Sequence, residues 1–274
     1  MTREIVIRAG QAEANYWRDL WHYRELLYFL AWRDILVRYK QTLIGIAWAL
    51  VRPVAMVAVL TIVFNKVAGL GAPAGVPYPL LVYAGMLPWQ FFSTAVSDAS
   101  ASLIGNSSLI SKVYFPRLIV PAGAVVTSFV DFAITLVLMA GMMAWYGYLP
   151  DARVLATPLF IGLAFGIAFG MGVWLAALNV KYRDFRYIVP FIVQFGVYIS
   201  PVGFSTTSVP PGWRLLYAAN PMVGVIDGFR WALLRGDSPL WWPSVLMSAV
   251  TTAVVCVVGI WYFRHTERSF ADVI

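Results

Sequence analysis

The side chains able to do chemistry are few in this 274-residue chain, and their spacing excludes most catalysis. The four lysines, Lys40, Lys66, Lys112 and Lys181, are followed by Gln41, Val67, Val113 and Tyr182. None completes the glycine-rich GxxxxGK[ST] loop whose backbone N–H groups cradle a nucleotide's phosphates. The two histidines, His22 and His265, lie at opposite ends of the sequence, so they build neither a metal site nor a triad. The single cysteine, Cys256, excludes an internal disulfide framework and a cysteine-rich metal centre. No pair of carboxylates stands on one helix face as hydrolysis or glycosyl transfer would require. The expectation is a chain that is not itself an enzyme and holds neither cofactor nor metal.

Three ionisable residues, Arg52, Asp98 and Asp131, interrupt long apolar runs. Charge at such positions is costly in a membrane and faces a protein interior or water. They form either an ion relay or a structural set, in which Arg52 and Asp131 meet a carbonyl or each other and Asp98 faces the wet SDASAS stretch. No spacing links the three. Asp227 and Arg230 are three residues apart, which makes them neighbours on one helix face and predicts a local ion pair. Phe191, Phe195 and Tyr198 share a face through spacings of four and three. Such a face either packs against helices and lipid or offers ring surfaces to the C–H faces of sugars sliding past.

The elements that carry these residues follow from composition. Hydrophobic residues make up 61% of the chain and charged residues 12%, against about a quarter charged in an average soluble domain. Mean hydropathy is +0.75. A soluble fold of this length cannot bury so much apolar surface, so the expected class is an all-α integral membrane protein. The net charge of +7 is divided into short basic pieces between apolar runs, which suits topology better than nucleic-acid binding. A crossing helix needs roughly 20 mainly apolar residues. Six segments qualify: Leu43–Phe64, Tyr78–Ile104, Leu118–Tyr146, Val154–Val180, Tyr187–Phe204 and Pro243–Phe263. Lipid offers backbone groups no partners, and strand alternation is absent, so the spans are helices.

Basic residues orient the spans. Arg33, Arg38 and Lys40, then Lys112 and Arg117, then Lys181, Arg183 and Arg186, and finally Arg264 and Arg268 fall on one side. The two short connections opposite carry Lys66 and Arg153, and the long fifth connection adds Arg214, Arg230 and Arg235. Both termini are therefore expected in the cytoplasm. Arg3, Glu4, Arg8, Glu13, Arg18 and Asp19 interrupt any cleavable signal pattern, so the first forty residues are expected to stay attached. The division is a tail and interface segment at 1–42, a six-span domain at 43–263 and a cytoplasmic tail at 264–274.

Two connections predict further helices. Between the last two spans, Pro210-Pro211 predicts one short helix near Gly212–Ala219, and Asn220 caps a second with Pro221 at its first position. Neither is long enough to cross a bilayer. The pair over 206–235 is expected to re-enter the membrane from the outer side, the alternative being an amphipathic hairpin on the outer surface. On the cytoplasmic side, Ser107 or Ser108 caps a short helix over 107–115 that must end near Phe115, before Pro116. A short capped helix there is suited to docking a soluble partner.

These features resemble the type-2 ABC exporter permeases, and within them the branch that exports O-antigen, capsule and teichoic acid. The carrying residues are Arg33-Asp34, Arg38-Tyr39, Leu43, Gly45, Trp48 and Pro53, with YAGMLPWQFFS at Tyr83–Ser93 and LISKVYFPR at Leu109–Arg117. NVKYRDFRYIVPFIVQ at Asn179–Gln194, YISPVGFS at Tyr198–Ser205 and Asn220-Pro221-Met222 complete the set. The resemblance implies a homodimer of six-span subunits in a bacterial inner membrane. Two copies of a separate cytosolic ATPase would bind ATP and magnesium, and the cargo would be a lipid-linked glycan. It also implies an interface helix around Leu20–Tyr39, whose apolar residues scatter around the helix here and so predict a kink or two short pieces.

On this resemblance Phe191, Phe195, Tyr198 and Trp48 line the substrate channel. Arg33, Arg38, Ser108, Lys112 and Tyr114 couple to the ATPase, and Pro211, Trp213, Asn220, Asp227 and Arg230 form a periplasmic gate. Three rivals differ in class or cargo. An ion-coupled transporter wants paired intramembrane carboxylates or an inverted repeat, and a membrane glycosyltransferase wants clustered acidic residues. Neither pattern is present. A drug- or lipid-exporting relative of the same superfamily is disfavoured by RDILVRYKQTLIG and YRDFRY.

Overall fold

The structure, a computed structural model, describes residues 16–40, 45–69, 71–73 and 75–270; the side chains at 45–49, 52 and 269 lie outside the description. Two short helices come first, α1 (Tyr16–His22) and α2 (Arg24–Lys40), separated by a turn at Tyr23. The scattered apolar side chains of this region thus resolve into two pieces. Next come α3 (Gly45–Leu60), continued by a π-helical turn at Thr61–Val67, and α4 (Tyr78–Gly105). The six-residue α5 (Ser107–Lys112) leads to α6 (Ile119–Trp145) and α7 (Thr157–Lys181), the latter preceded by a 3-10 turn at Ala152–Ala156. Then follow α8 (Phe185–Ile199), α9 (Arg214–Ala218), α10 (Pro221–Leu233) and α11 (Trp242–Thr266). Among the described residues there is no strand.

Among the described residues three helices are long and apolar enough to cross a membrane: Ile119–Trp145, Ala152–Lys181 with its 3-10 turn, and Trp242–Thr266. The chain is a helical membrane protein. Two apolar helical stretches, Pro53–Val67 and Phe185–Ile199, are shorter. The fifth expected span, Tyr187–Phe204, is accordingly corrected. Its helix stops at Ile199, because Pro201 has no N–H to continue the ladder and restricts Ser200 to extended backbone. The residues after Ser200 look apolar in sequence, yet they leave the helix.

The centre is built from α4, α6, α7, α10 and α11. Without a hydrophobic force between helices in lipid, close packing of small residues supplies the contact. A Cβ added at Gly259 of α11 would lie 2.4 Å from the Gly170 carbonyl oxygen of α7. Phe91, Phe129, Phe132 and Phe165 join α4, α6 and α7 through ring contacts of 5.4–6.3 Å. α10 lies inside this assembly, with eleven of its residues buried. α10 is thus enclosed by protein on several sides, whereas a helix lying on a surface buries one stripe only. α9 differs, for Leu215 and Leu216 are exposed.

Candidate coupling and gating site

The charged end of α2 is tied to three other elements. Arg33 pairs with Asp34 at 2.7 Å and donates to Asn106 Oδ1 at 2.9 Å, at the junction of α4 and α5. Five residues later Arg38 donates to Asp98 of α4 at 2.7 Å and pairs with Asp131 of α6. Tyr39 donates its phenolic proton to the other Asp131 oxygen, and Ser128 donates to Asp98 Oδ2 at 3.2 Å. Burial works against the Arg38 charge, but the hydrogen bond to Asp98 and the charges of Asp131 and Asp98 together outweigh it and hold the pKa above the ordinary arginine value. Burial first, and Asp131 second, push the Tyr39 phenol upward. The expected structural set, with Arg52 and Asp131 meeting a carbonyl or each other and Asp98 facing the SDASAS stretch, did not include Arg38 or Tyr39 as partners of the two carboxylates. Arg38 brings Asp98 and Asp131 to one point; the Arg52 side chain lies outside the described residues.

The short helix after α4 also departs from expectation. Ser107 and Ser108 stand within α5, and Asn106 occupies the cap position without making a side-chain cap bond. Its Nδ2 donates instead to Ser102 O at 2.9 Å, and its Oδ1 is taken by Arg33. α5 ends at Lys112, where Val113 turns to extended backbone, so the helix is shorter than 107–115. One face is anchored by buried Ile110, while Lys112 and Tyr114 project outward. Beyond α11, Arg117 N donates to Glu267 Oε1 at 2.8 Å, which fastens the chain's last described turn beside the start of α6.

At the other end, the irregular stretch after α8 is held group by group. Asn220 Nδ2 donates to Ser200 Oγ at 2.9 Å while its Oδ1 accepts from Met222 N at 3.0 Å, so Asn220 caps α10 as its place before Pro221 predicts. Arg230 donates to the carbonyls of Val202 at 2.7 Å, Phe204 at 2.7 Å and Leu81 at 3.1 Å. Tyr78 donates to Gly203 O at 2.6 Å, and Thr206 donates to Asp227 Oδ1 at 2.7 Å. The expected Asp227–Arg230 ion pair is therefore not formed. Ion pairs form elsewhere, at Arg33–Asp34, Arg38–Asp98, Arg38–Asp131 and Arg153–Asp151. Asp227 and Arg230 each find a partner in the 202–206 segment, because buried carbonyls in irregular backbone demand donors. Pro211 opens a 3-10 turn ending at Trp213, whose ring is exposed.

The aromatic face of α8 is present. Phe191, Phe195 and Tyr198 are 59%, 49% and 61% exposed, and the Phe191 and Phe195 rings lie 4.3 Å apart. Tyr187 extends the same exposed face. Trp48 stands in α3, but its side chain lies outside the described residues. The structure thus places Arg33 at the junction of α4 and α5, Arg38 between α4 and α6, and Asn220, Asp227 and Arg230 around the break after α8. Sequence reasoning missed Asn106, Tyr78 and Thr206, whose partners are far away in sequence. It had included Tyr39 only as part of a motif.

Comparison with known proteins finds relatives along most of the chain. The chain is similar to the O-antigen export system permease protein RfbA of Myxococcus xanthus, 27% identical over 257 residues, covering 93% of this chain and 97% of that protein. It is also similar to RfbA of Klebsiella pneumoniae, 24% identical over 251 residues, with 91% and 95% covered. The polysialic acid transport protein KpsM of Escherichia coli is 21% identical over 240 residues, with 86% and 92% covered. Residues 25–234 match the model of the ABC-2 type transporter family. That match runs from α2 to the end of α10, taking in both clusters described above, and the chain belongs to the ABC-2 type transporter family.

Proposed function

We propose that this chain is the membrane permease subunit of an ABC exporter that moves a lipid-linked polysaccharide, an O-antigen or related surface glycan, across the bacterial inner membrane. The relatives named for O-antigen export and polysialic acid transport support the cargo class. The subunit works as a homodimer, with six spans per copy and both termini in the cytoplasm. Two copies of a cytosolic ATPase bind ATP and magnesium, and nucleotide chemistry stays on those subunits.

The observation that carries the reading is the fastening of α2 to the spans. Arg33 grips the junction of α4 and α5, and Arg38 grips α4 and α6 together. A push from an ATPase on α2 or α5 therefore reaches two long helices at once. α5, anchored by Ile110 and presenting Lys112 and Tyr114, is the docking element. The exposed rings of α8 face the path, where aromatic faces offer sugars weak, repeated contact. At the far end, α9 and α10 dip into the membrane as the gate. Α10 is 13 residues long, about 20 Å at ~1.5 Å per residue, too short to cross.

Purification tests the division of labour. The chain alone is expected to hydrolyse no ATP above background and, from its native membrane, to bring down a cytosolic ATPase in equal copies. Robust hydrolysis by the isolated chain, or absence of the ATPase, would contradict the permease reading.

A further inference from the structure

Asp227 and Arg230 share one face of α10, and both are almost completely buried, at 3% and 0% exposure. Arginine alone would answer the carbonyls of the irregular segment. The carboxylate is harder to explain. One oxygen, Oδ1, accepts the Thr206 hydroxyl, whereas Oδ2 is buried with no hydrogen-bond partner among the described residues. An asparagine would serve Thr206 equally well without the cost of burying a charge. The unused oxygen lies three residues from the guanidinium, a spacing at which side chains on a helix meet.

The arginine is equally committed elsewhere. Its three acceptors are the carbonyls of Leu81, Val202 and Phe204, and a Cβ at Gly85 would lie 2.6 Å from its Nη2. Glycine at 85 therefore leaves the room in which the guanidinium crosses from α10 to α4. Both charged residues thus grip the same stretch, Val202 to Thr206. Moving that stretch away would strip Asp227 of Thr206 and Arg230 of two of its three acceptors together. Arg230 would keep Leu81 O alone, and pairing between Arg230 and Asp227 would compensate both losses within α10.

We propose that Asp227 and Arg230 form a two-state clip. In the state seen here they hold the 202–206 segment, and in a released state they pair with each other while the segment moves. This inference deepens the gate assigned to α9 and α10 and rests on that reading. Release needs only side-chain rotation in α10, so the helix stays packed while the segment after α8 is let go. Thr206 and Arg230 position the closed segment, and Asp227 makes the open one tolerable.

The test uses the full chain in lipid nanodiscs accessible from both sides. Cys256→Ala removes the only cysteine, and Val202→Cys, which keeps the backbone carbonyl that Arg230 holds, reports exposure through its rate of maleimide labelling. Thr206→Val keeps side-chain shape but breaks one grip, and labelling should rise about fivefold, the population shift of one hydrogen bond worth about 1 kcal/mol. Asp227→Asn keeps the Thr206 bond but removes the charge needed after release, so labelling should stay at or below the parent rate. The exchanged variant Asp227→Arg/Arg230→Asp retains mutual pairing and loses the grip. It should accumulate where Arg230→Asp alone does not, and label fast. The clip is overturned if Thr206→Val labels no faster, if Asp227→Asn labels faster than the parent, or if the exchange accumulates no better than Arg230→Asp. Labelling needs neither ATPase nor glycan, so a failure of the export reading would leave these outcomes unchanged and distinguishable.

Discussion

Arg38 Nη2 donates to Asp98 Oδ2 at 2.7 Å, and the same guanidinium pairs with Asp131 on a different helix. One cation holds two carboxylates together, so its loss removes an attraction and exposes a repulsion. Arg38→Ala should lower the melting temperature by a few degrees, from about 2 kcal/mol of lost charge-assisted hydrogen bonding. Export per assembled transporter should fall further than stability does. Arg38→Lys retains the charge but not the fork that reaches both partners, and is expected to rescue only part of the loss. Full export with Arg38→Ala would show that this tie transmits nothing.

Ile110 N donates to Asn106 O at 3.1 Å, within a helix of only six residues. Ile110→Pro removes that bond, and proline inside a helix costs about 3 kcal/mol, enough to melt α5. ATP hydrolysis by the assembled complex should continue while export stops. Lys112→Glu tests the docking surface without touching the fold, since its exposed side chain should change stability by no more than about 0.5 kcal/mol. Coupling should drop in both variants, as measured by glycan exported per ATP consumed. Unchanged coupling in both would dissociate α5 from the ATPase.

How much of this was legible in the sequence depended on distance along the chain. The long helices α6, α7 and α11 were readable because a run of apolar residues sets a length that lipid requires. Asn220 was readable as a cap because its partner is two residues away. Arg38 was not readable as the partner of Asp98 and Asp131, which lie 60 and 93 residues on. Local spacing misled at Asp227 and Arg230, where a three-residue separation shows who can meet but not who has better partners. The end of α8 was also misplaced: hydropathy continues through Val202 and Phe204, while the backbone obeys Pro201. For α5, the serines were good caps in isolation, but Asn106 precedes them and its side chain is engaged by Arg33.

The aromatic face of α8 separates packing from transport. Replacing Phe191, Phe195 and Tyr198 with leucine keeps apolar bulk, and at exposed positions should change stability little, on the order of 0.5 kcal/mol. If the rings carry sliding sugar contacts, export per assembled transporter should fall, more in the triple variant than in any single one. If they only pack, thermal stability falls and export drops in proportion to the protein lost. Undiminished export per transporter in the triple leucine variant would assign these rings to packing.

Glu267 gives a pH dependence of known sign. Burial, the leading cause, pushes its carboxyl above the ordinary 4.5, although Arg117 and Arg264 act in the other direction. A carboxyl raised in the folded state adds stability below its unfolded value, and that contribution is lost as pH rises through the folded value. Glu267→Gln stays neutral throughout. The melting temperature of the parent minus that of the variant should therefore decline as pH rises above the ordinary carboxylate range. A difference that grows with pH would mean the carboxylate is stabilised by its arginines more than it is penalised by burial.

The export reading stands or falls on where the glycan goes when this chain is removed. In cells lacking the chain, surface polysaccharide is measured alongside lipid-linked glycan retained on the cytoplasmic face. Surface polysaccharide should disappear while the lipid-linked precursor accumulates inside, and the parent sequence should restore both. Surface polysaccharide at parental levels, with no precursor retained, would contradict the assignment of this chain as a polysaccharide export permease.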